Sequence, residues 1–80
     1  MIEIKILGSG CANCKRLEAM TREVVEAMGV EANFEKVTDR GKILEYPIIA
    51  TPGLVINGEV VSSGRIPPKP EIEGFLRKAA

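Results

Sequence analysis

The chain begins with a strand pattern that runs directly into a pair of cysteines: residues 2–14 read IEIKILGSGCANC. Apolar and charged residues alternate at the start of this stretch, which is typical of a β-strand. The apolar pair at positions 6–7 favours a central place in the sheet. The Gly-Ser-Gly turn at positions 8–10 ends the strand, and a helical pattern follows it. Cys11 and Cys14 therefore lie where a strand gives way to a helix.

Hydrophobic periods and turn residues predict six further elements. A helix from Ala12 to about Met28 carries one apolar stripe, and Gly29 after it is a residue that commonly ends helices. A weaker strand of edge character follows over 32–37. Thr38 or Asp39 can cap a short helix that reaches about Glu45, with Ile43 and Leu44 pointing inward. The remaining elements are strands over 54–56 and 59–63 and a last helix opened by Pro67, Pro68 and Pro70.

The order β-α-β-α-β-β-α limits how the strands can pair. Two strands joined by a helix form a right-handed parallel crossover, whereas Asn57-Gly58 is a strong signal for an antiparallel hairpin. The sequence therefore predicts an α/β fold with a four-stranded mixed sheet and helices on both faces. With 80 residues, we expect one domain over positions 1–80.

The composition excludes several classes of function. Eleven Lys and Arg residues balance eleven Asp and Glu residues, so the basic excess of a nucleic-acid-binding protein is missing. The chain has no His, which removes His-dependent catalysis and His-ligated zinc. No stretch approaches the roughly 20 apolar residues that span a bilayer, and the N-terminus lacks the apolar run of a signal peptide. We expect a cytoplasmic monomer with neither a nucleic-acid nor a membrane partner.

The two cysteines indicate redox chemistry more than structural stabilisation. A bridge between Cys11 and Cys14 closes too short a loop to constrain the unfolded chain much, and disulfides in the cytosol are usually transient. A helix N-terminus offers unpaired N–H groups and partial positive charge, which stabilise a thiolate. Residues three apart on a helix are also neighbours, within reach of a disulfide.

The positions of the two cysteines assign different roles to them. Cys11 lies at the loop tip, open to solvent, and is the predicted nucleophile. Cys14 belongs to the apolar stripe and is the predicted resolving thiol, which breaks the mixed disulfide. Gly10 allows a partner backbone to approach closely, and Ala12 and Asn13 tune the couple at the helix end. Because the two thiols of the redox-active Cys11–Cys14 pair hold the electrons, we expect no bound cofactor and no metal.

Two more motifs extend the pattern along the chain: Thr-Pro-Gly-Leu at 51–54 and Ile-Asn-Gly-Glu-Val at 56–60. Together with Gly-Ser-Gly-Cys-Ala-Asn-Cys-Lys at 8–15, they resemble the thioredoxin superfamily. The resemblance is greatest to the small thioredoxin- or glutaredoxin-like redox-active disulfide proteins of archaea and bacteria. It implies a thioredoxin-like fold and a dithiol–disulfide oxidoreductase that reduces substrate disulfides.

The resemblance also implies how substrates bind. It places a cis peptide bond between Thr51 and Pro52 in a loop that faces the cysteines, with the backbone of Thr51 pairing with the substrate. The loop around Ser63 and Gly64 would complete the groove. Substrates would be disulfide-containing proteins or small molecules, and a thioredoxin reductase, glutathione or another dithiol would supply the electrons.

A soft-metal carrier is the alternative function. Small carriers of the Cu(I) type also place Cys-x-x-Cys between a first strand and a first helix, and here Cys11 and Cys14 would be the ligands. Their element order is β-α-β-β-α-β, in which two strands follow the first helix directly. The two hypotheses therefore predict different elements after residue 37.

Overall fold

The described residues form seven elements in the order that the sequence predicts. The computed structural model describes residues 1–8 and 10–79, so Ser9 of the predicted turn lies outside the described residues. The elements are β1 (Ile2–Leu7), α1 (Ala12–Met28), β2 (Ala32–Val37), α2 (Arg40–Ile43), β3 (Gly53–Ile56), β4 (Glu59–Ser63) and α3 (Lys69–Ala79).

The N-terminal strand β1 lies inside the sheet, between β2 and β3. β1 pairs in parallel with β2, with Ile2 opposite Ala32 and Leu7 opposite Val37. On its other side β1 pairs antiparallel with β3, and β3 pairs antiparallel with β4. The strand order β2-β1-β3-β4 places β2 at an edge and confirms the four-stranded mixed sheet. A helix, α2, separates β2 from β3, so the element order is not that of the metal-carrier alternative.

One face of the sheet packs against α1 and α3. Because side chains alternate across a strand, β1 directs Ile2, Ile4 and Ile6 to this face, where all three are buried. α1 supplies Leu17 and α3 supplies Leu76, both without solvent exposure. The buried cluster on this face consists of Ile2, Ile4, Ile6, Leu17, Val24, Val25, Leu54, Ile56, Ile72 and Leu76.

The other face of the sheet packs against the short helix α2. Leu7, Val37, Ile43 and Val55 form a smaller buried cluster there, bordered by Tyr46 and other half-buried side chains. Helices therefore cover both faces, as the sequence predicts.

Helix α1 buries the apolar stripe that the sequence predicts, and Cys14 is part of it. Gly29 ends the helix with φ 67°, and its N–H donates to the Val25 carbonyl at 3.0 Å. Thr21 is the polar member of the buried stripe, and its hydroxyl donates to the Leu17 carbonyl at 2.8 Å. The hydroxyl is therefore satisfied within the helix, which explains how a threonine is buried among apolar side chains.

The short helix α2 is where the sequence prediction was partly wrong. Asp39 caps it, since the Asp39 side chain accepts from the Gly41 N–H at 2.8 Å, but the helix ends at Ile43 instead of about Glu45. Ile43 points inward as predicted, whereas Leu44 is 74% exposed. Two adjacent residues on one turn of helix cannot both point toward the sheet. Ile43 points inward and is buried, and Leu44 therefore points outward.

The predicted hairpin joins β3 to β4. Asn57 has φ 50° and Gly58 φ 82°, the pair of left-handed conformations that an Asn-Gly turn supplies. Asn57 also ties the turn to β1: its N–H donates to the Glu3 carbonyl at 2.7 Å, and its side-chain oxygen accepts from the Glu3 N–H at 2.9 Å. The hairpin is thereby fixed at the end of the sheet opposite the cysteines.

Within residues 1–8 and 10–79, none of the helices has both the length and the apolar character needed to cross a membrane.

Candidate functional site

The two cysteines are joined by a disulfide at the start of α1, with their Cα atoms 5.0 Å apart. Cys11 is the N-cap of the helix and is exposed, whereas Cys14, one turn further in, is 5% exposed. The Cys14 N–H donates to Cys11 Sγ at 3.1 Å, and the Lys15 N–H donates to the Cys11 carbonyl at 3.0 Å. An amide hydrogen thus already points at the Cys11 sulfur, and it would stabilise negative charge there once the bond is reduced.

The residues between and before the cysteines lie at the surface. Gly10, Ala12 and Asn13 are all exposed. Gly10 has φ 84°, a conformation that favours glycine, and a Cβ built there would meet no atom within 4 Å. The space next to Gly10, one residue before Cys11, is therefore open.

Gly8 is a site residue that sequence reasoning missed, because it was read only as part of the turn. Gly8 is buried, and its N–H donates to the Val37 carbonyl at 3.0 Å. A Cβ built on it would overlap Cys14 Sγ, lie 3.3 Å from Cys14 Cβ and lie 3.9 Å from Thr51 Cβ. Gly8 thus lies beside Cys14 and near Thr51, and the absence of its side chain leaves room for the Cys14 sulfur. No local pattern distinguishes this glycine from an ordinary turn glycine.

The peptide bond between Thr51 and Pro52 is cis. Thr51 is exposed and Pro52 is buried. The Pro52 carbonyl accepts from the Gly64 N–H at 2.9 Å, which joins this loop to the turn after β4. Because a Cβ built on Gly8 would lie near both Cys14 and Thr51, the Thr51–Pro52 loop lies on the same side of the molecule as Cys14.

Ser63 fixes the segment that precedes the cis bond. Its hydroxyl accepts from the Ile49 N–H at 3.0 Å and from the Ala50 N–H at 3.3 Å, and it donates to the Ala50 carbonyl at 3.2 Å. One side chain at the end of β4 therefore holds three backbone groups of an exposed loop. Ile49 is held there with its side chain 97% exposed.

A small cavity of about 50 Å³ lies beside Cys14. Glu18, one helical turn after Cys14, borders this cavity and forms ion pairs with Arg22 at 3.0 Å and with Lys36 at 3.2 Å. Burial raises the pKa of Glu18, but the hydrogen bonds from Arg22 and Lys36 outweigh it and bring that pKa below 4.5. The cavity is lined by Ile6, Gly8, Gly10, Cys14, Lys15, Glu18, Lys36 and Thr38.

Glu18 lies outside the predicted apolar stripe of α1, and sequence reasoning did not identify its position beside Cys14. The spacing of four residues from Cys14 was a usable signal, since such residues share a helix face. Its pairing with Lys36 was not visible, because that contact joins α1 to β2.

Two further observations concern other parts of the surface. A larger groove of about 520 Å³ lies between the β3–β4 hairpin and the C-terminal end of α3, and it holds none of the predicted site residues. Among residues 1–8 and 10–79, no three His, Cys, Asp or Glu side chains gather in a way that could hold a metal ion.

The cysteine pair at a helix start, on this sheet order, defines the class of the protein as thiol–disulfide oxidoreductases with a thioredoxin-like fold. The family model described as the thioredoxin domain matches residues 2–77. A thioredoxin of Methanothermobacter thermautotrophicus is 45% identical over 76 residues, which cover 95% of this chain and 99% of that protein. A thioredoxin of Methanocaldococcus jannaschii is 35% identical over 77 residues, covering 96% of this chain and 88% of that protein.

The chain belongs to the thioredoxin family. Its activity is thiol–disulfide exchange, as the sequence predicts. Members of this family generally work through a redox-active disulfide without a bound cofactor, and they require a disulfide substrate and a source of electrons.

Proposed function

We propose that Cys11 is the nucleophile and Cys14 the resolving thiol in the reduction of substrate disulfides, within a single domain over residues 1–80. The observation that carries this assignment is the difference in exposure: Cys11 is open to solvent at the helix cap, while Cys14 is 5% exposed beneath it. A substrate sulfur can reach Cys11 directly. The buried Cys14 acts afterwards, on Cys11 Sγ of the mixed disulfide, and needs no direct contact with a substrate sulfur.

The reaction proceeds in two exchanges. The Cys11 thiolate attacks one sulfur of a disulfide R–S–S–R′, forms the mixed disulfide Cys11–S–S–R and releases R′–S⁻. Cys14 loses its thiol proton and attacks Cys11 Sγ, which forms the Cys11–Cys14 disulfide and releases R–S⁻. The two released thiolates take up protons, so the protein dithiol loses two electrons and the substrate disulfide gains them.

The surface around Cys11 supports a role for its neighbours in substrate binding. Gly10 leaves open space beside the nucleophile, and Ala12 and Asn13 present exposed side chains on the first turn of the helix. Thr51 is exposed on the adjoining loop, where its backbone can pair with an extended substrate segment as a short strand would. Pro52 keeps that segment in place.

The oxidised protein must be reduced again after each reaction with a substrate. A thioredoxin reductase, glutathione or another dithiol returns the electrons to the Cys11–Cys14 disulfide, and no bound cofactor takes part. The substrate is a protein or a small molecule with a disulfide. The protein works as a monomer in the cytoplasm, where disulfides are usually transient and catalytic.

The test compares Cys11→Ser and Cys14→Ser with the wild type, using an uncharged small disulfide and a peptide disulfide. Cys11→Ser should lose all reduction above background. Cys14→Ser should form a stable mixed disulfide with the peptide, visible as an added mass that dithiothreitol removes.

The same preparations separate the assignment from its alternatives. Full activity in Cys11→Ser would show that the nucleophile is assigned wrongly. A wild-type protein that forms no internal disulfide in a glutathione redox titration, and instead takes up Cu(I) stoichiometrically, would be a metal carrier.

A further inference from the structure

The charges of this protein are separated along the molecule, although they sum to zero. At the end that holds the cysteines, α1 begins with Lys15 and Arg16, and α2 carries Arg40 and Lys42. All four side chains are exposed, and none forms an ion pair with another residue among 1–8 and 10–79. β2 ends beside Gly8, whose N–H donates to the Val37 carbonyl, and α2 follows directly, so these four cations lie at the same end of the sheet as the redox site.

The acidic residues at this end offset only part of its positive charge. Glu18 is paired with both Arg22 and Lys36. Asp39, which accepts a hydrogen bond from the Gly41 N–H, and Glu45, which follows α2, offset one cation each. The redox end keeps an excess of positive charge after these pairings are counted.

The opposite end carries four exposed carboxylates without ion pairs among the described residues: Glu3, Glu26, Glu31 and Glu59. The N-terminal ammonium and Lys78 offset two of them, so negative charge is in excess there. The backbone shows their location: the Ile2 N–H donates to the Glu31 carbonyl. The Gly29 N–H at the end of α1 donates to the Glu26 carbonyl. The 17 residues of α1 separate the two ends by about 25 Å.

A separation of about 25 Å is longer than the Debye length of about 8 Å at physiological ionic strength, so a partner at one end is largely screened from the charge at the other. A substrate approaching Cys11 therefore meets a positively charged surface despite the zero net charge of the chain. Such a surface raises the association rate of partners of opposite charge.

We propose that this protein prefers protein disulfides flanked by acidic residues, and that Lys15, Arg16, Arg40 and Lys42 form the surface that selects them. The proposal rests on the proposed function, because it assumes that substrates dock beside Cys11. Lys15 and Arg16 adjoin the cysteines and could also affect the chemistry. Arg40 and Lys42 lie on a separate element, so they provide the cleaner test.

The experiment uses the full chain, pre-reduced, and three disulfides: a peptide with Glu on both sides of its cystine, the same peptide with Lys, and uncharged hydroxyethyl disulfide. The second-order rate of oxidation of the protein is followed by acid quench and thiol alkylation. Salt is raised from about 0.01 M to about 1 M, which shortens the Debye length from about 30 Å to about 3 Å.

At low salt, the acidic peptide should react about tenfold faster than the basic peptide, at the lower end of what electrostatic steering produces. High salt should bring the two rates together. The double variant Arg40→Gln with Lys42→Gln should reduce the preference roughly threefold, with the hydroxyethyl disulfide rate unchanged. The matched control is Arg77→Gln with Lys78→Gln, which removes two charges at the far end of α3 and should keep the wild-type preference.

Equal rates for the two peptides at low salt would overturn the proposal. So would a far-end variant that loses as much preference as the α2 variant. The uncharged disulfide distinguishes a failure of the charge proposal from a failure of the proposed function. If the wild type reduces hydroxyethyl disulfide but shows no preference between the two peptides, only the charge proposal is wrong. A wild type that reduces none of the three fails the proposed function itself.

Discussion

At the scale of single residues, Gly8 is the position where an added side chain would disturb the site most directly. Cys14 Sγ occupies the space that a Cβ at Gly8 would fill, and Thr51 Cβ lies 3.9 Å from that Cβ position. The redox pair and the Thr51–Pro52 loop are thus brought together across one glycine. Substitutions here act on the site directly, even though the residue has no chemistry of its own.

Gly8→Ala should destabilise the oxidised protein by about 1–3 kcal/mol, because the added methyl group overlaps Cys14 Sγ in a buried place. Urea denaturation of the oxidised protein measures the loss. The control is Gly74→Ala, where a Cβ meets no atom within 4 Å in α3 and stability should rise by about 0.4–1 kcal/mol. A Gly8→Ala protein as stable as the wild type would show that the glycine is not required for packing.

Two neighbouring serines offer a matched comparison at the same scale. The Ser63 hydroxyl holds Ile49 and Ala50 through three hydrogen bonds, whereas the Ser62 hydroxyl is buried with no hydrogen-bond partner among the described residues. Ser63→Ala should cost about 0.5–1.5 kcal/mol, the net contribution of a typical hydrogen bond, because the backbone groups that it releases are exposed to water. Ser62→Ala should be nearly neutral or stabilising.

The two serine variants are compared by denaturant midpoint and by peptide-disulfide reduction. Ser63→Ala should also raise the KM for the peptide more than it lowers kcat, since it loosens the loop that we propose contacts the substrate. Ser63→Thr keeps the hydroxyl and should recover most of the loss. Equal behaviour of Ser62→Ala and Ser63→Ala would contradict the role given to Ser63.

At the scale of elements, the β3–β4 hairpin depends on a turn that only a few residues can form. Gly58 has φ 82°, and the preceding Asn57 ties the turn to Glu3 of β1 through two hydrogen bonds. The turn therefore fixes the register of two strand pairs at once. A residue that disfavours a positive φ at position 58 disturbs both.

Gly58→Ala should destabilise the fold by about 1–2 kcal/mol, the cost of a left-handed conformation for a residue with a Cβ. Gly58→Asn is the control, because Asn accepts this conformation more readily, and it should lose clearly less. Thermal unfolding of the two variants measures the difference. If Ala and Asn were equally tolerated, the positive φ would not be what limits this position.

At the scale of the whole molecule, stability depends on the core that α1 and α3 form with the sheet. An 80-residue chain has a small core, so each large buried side chain contributes a substantial part of it. Leu76 is fully buried in this core, whereas Leu44 is 74% exposed beyond α2. The same residue type thus occurs in two opposite environments.

Leu76→Ala should lower the free energy of unfolding by about 2–5 kcal/mol through lost burial and the cavity left behind. Leu44→Ala should change it by less than about 0.5 kcal/mol, as is usual for exposed positions. Urea unfolding gives both values directly. A similar loss in both variants would mean that Leu44 is buried in solution.

The sequence determined the local features of this protein. The bounds of α1, β1, β2 and β4 were predictable because apolar periods, glycine stops and the Asn-Gly turn act over a few residues. The pairing of Cys11 with Cys14 was predictable for the same reason, since residues three apart at a helix start are neighbours by geometry alone.

Only the tertiary structure decided what joins distant segments. Three observations depend on how separate elements pack together: the closeness of Gly8 to Thr51, the ion pair between Glu18 and Lys36, and the exposure of Leu44. Packing of α2 on the sheet left room for Ile43 and not for its neighbour. A sequence pattern shows the periodicity of each element separately. Which side chains of different elements meet is decided only when the elements pack together.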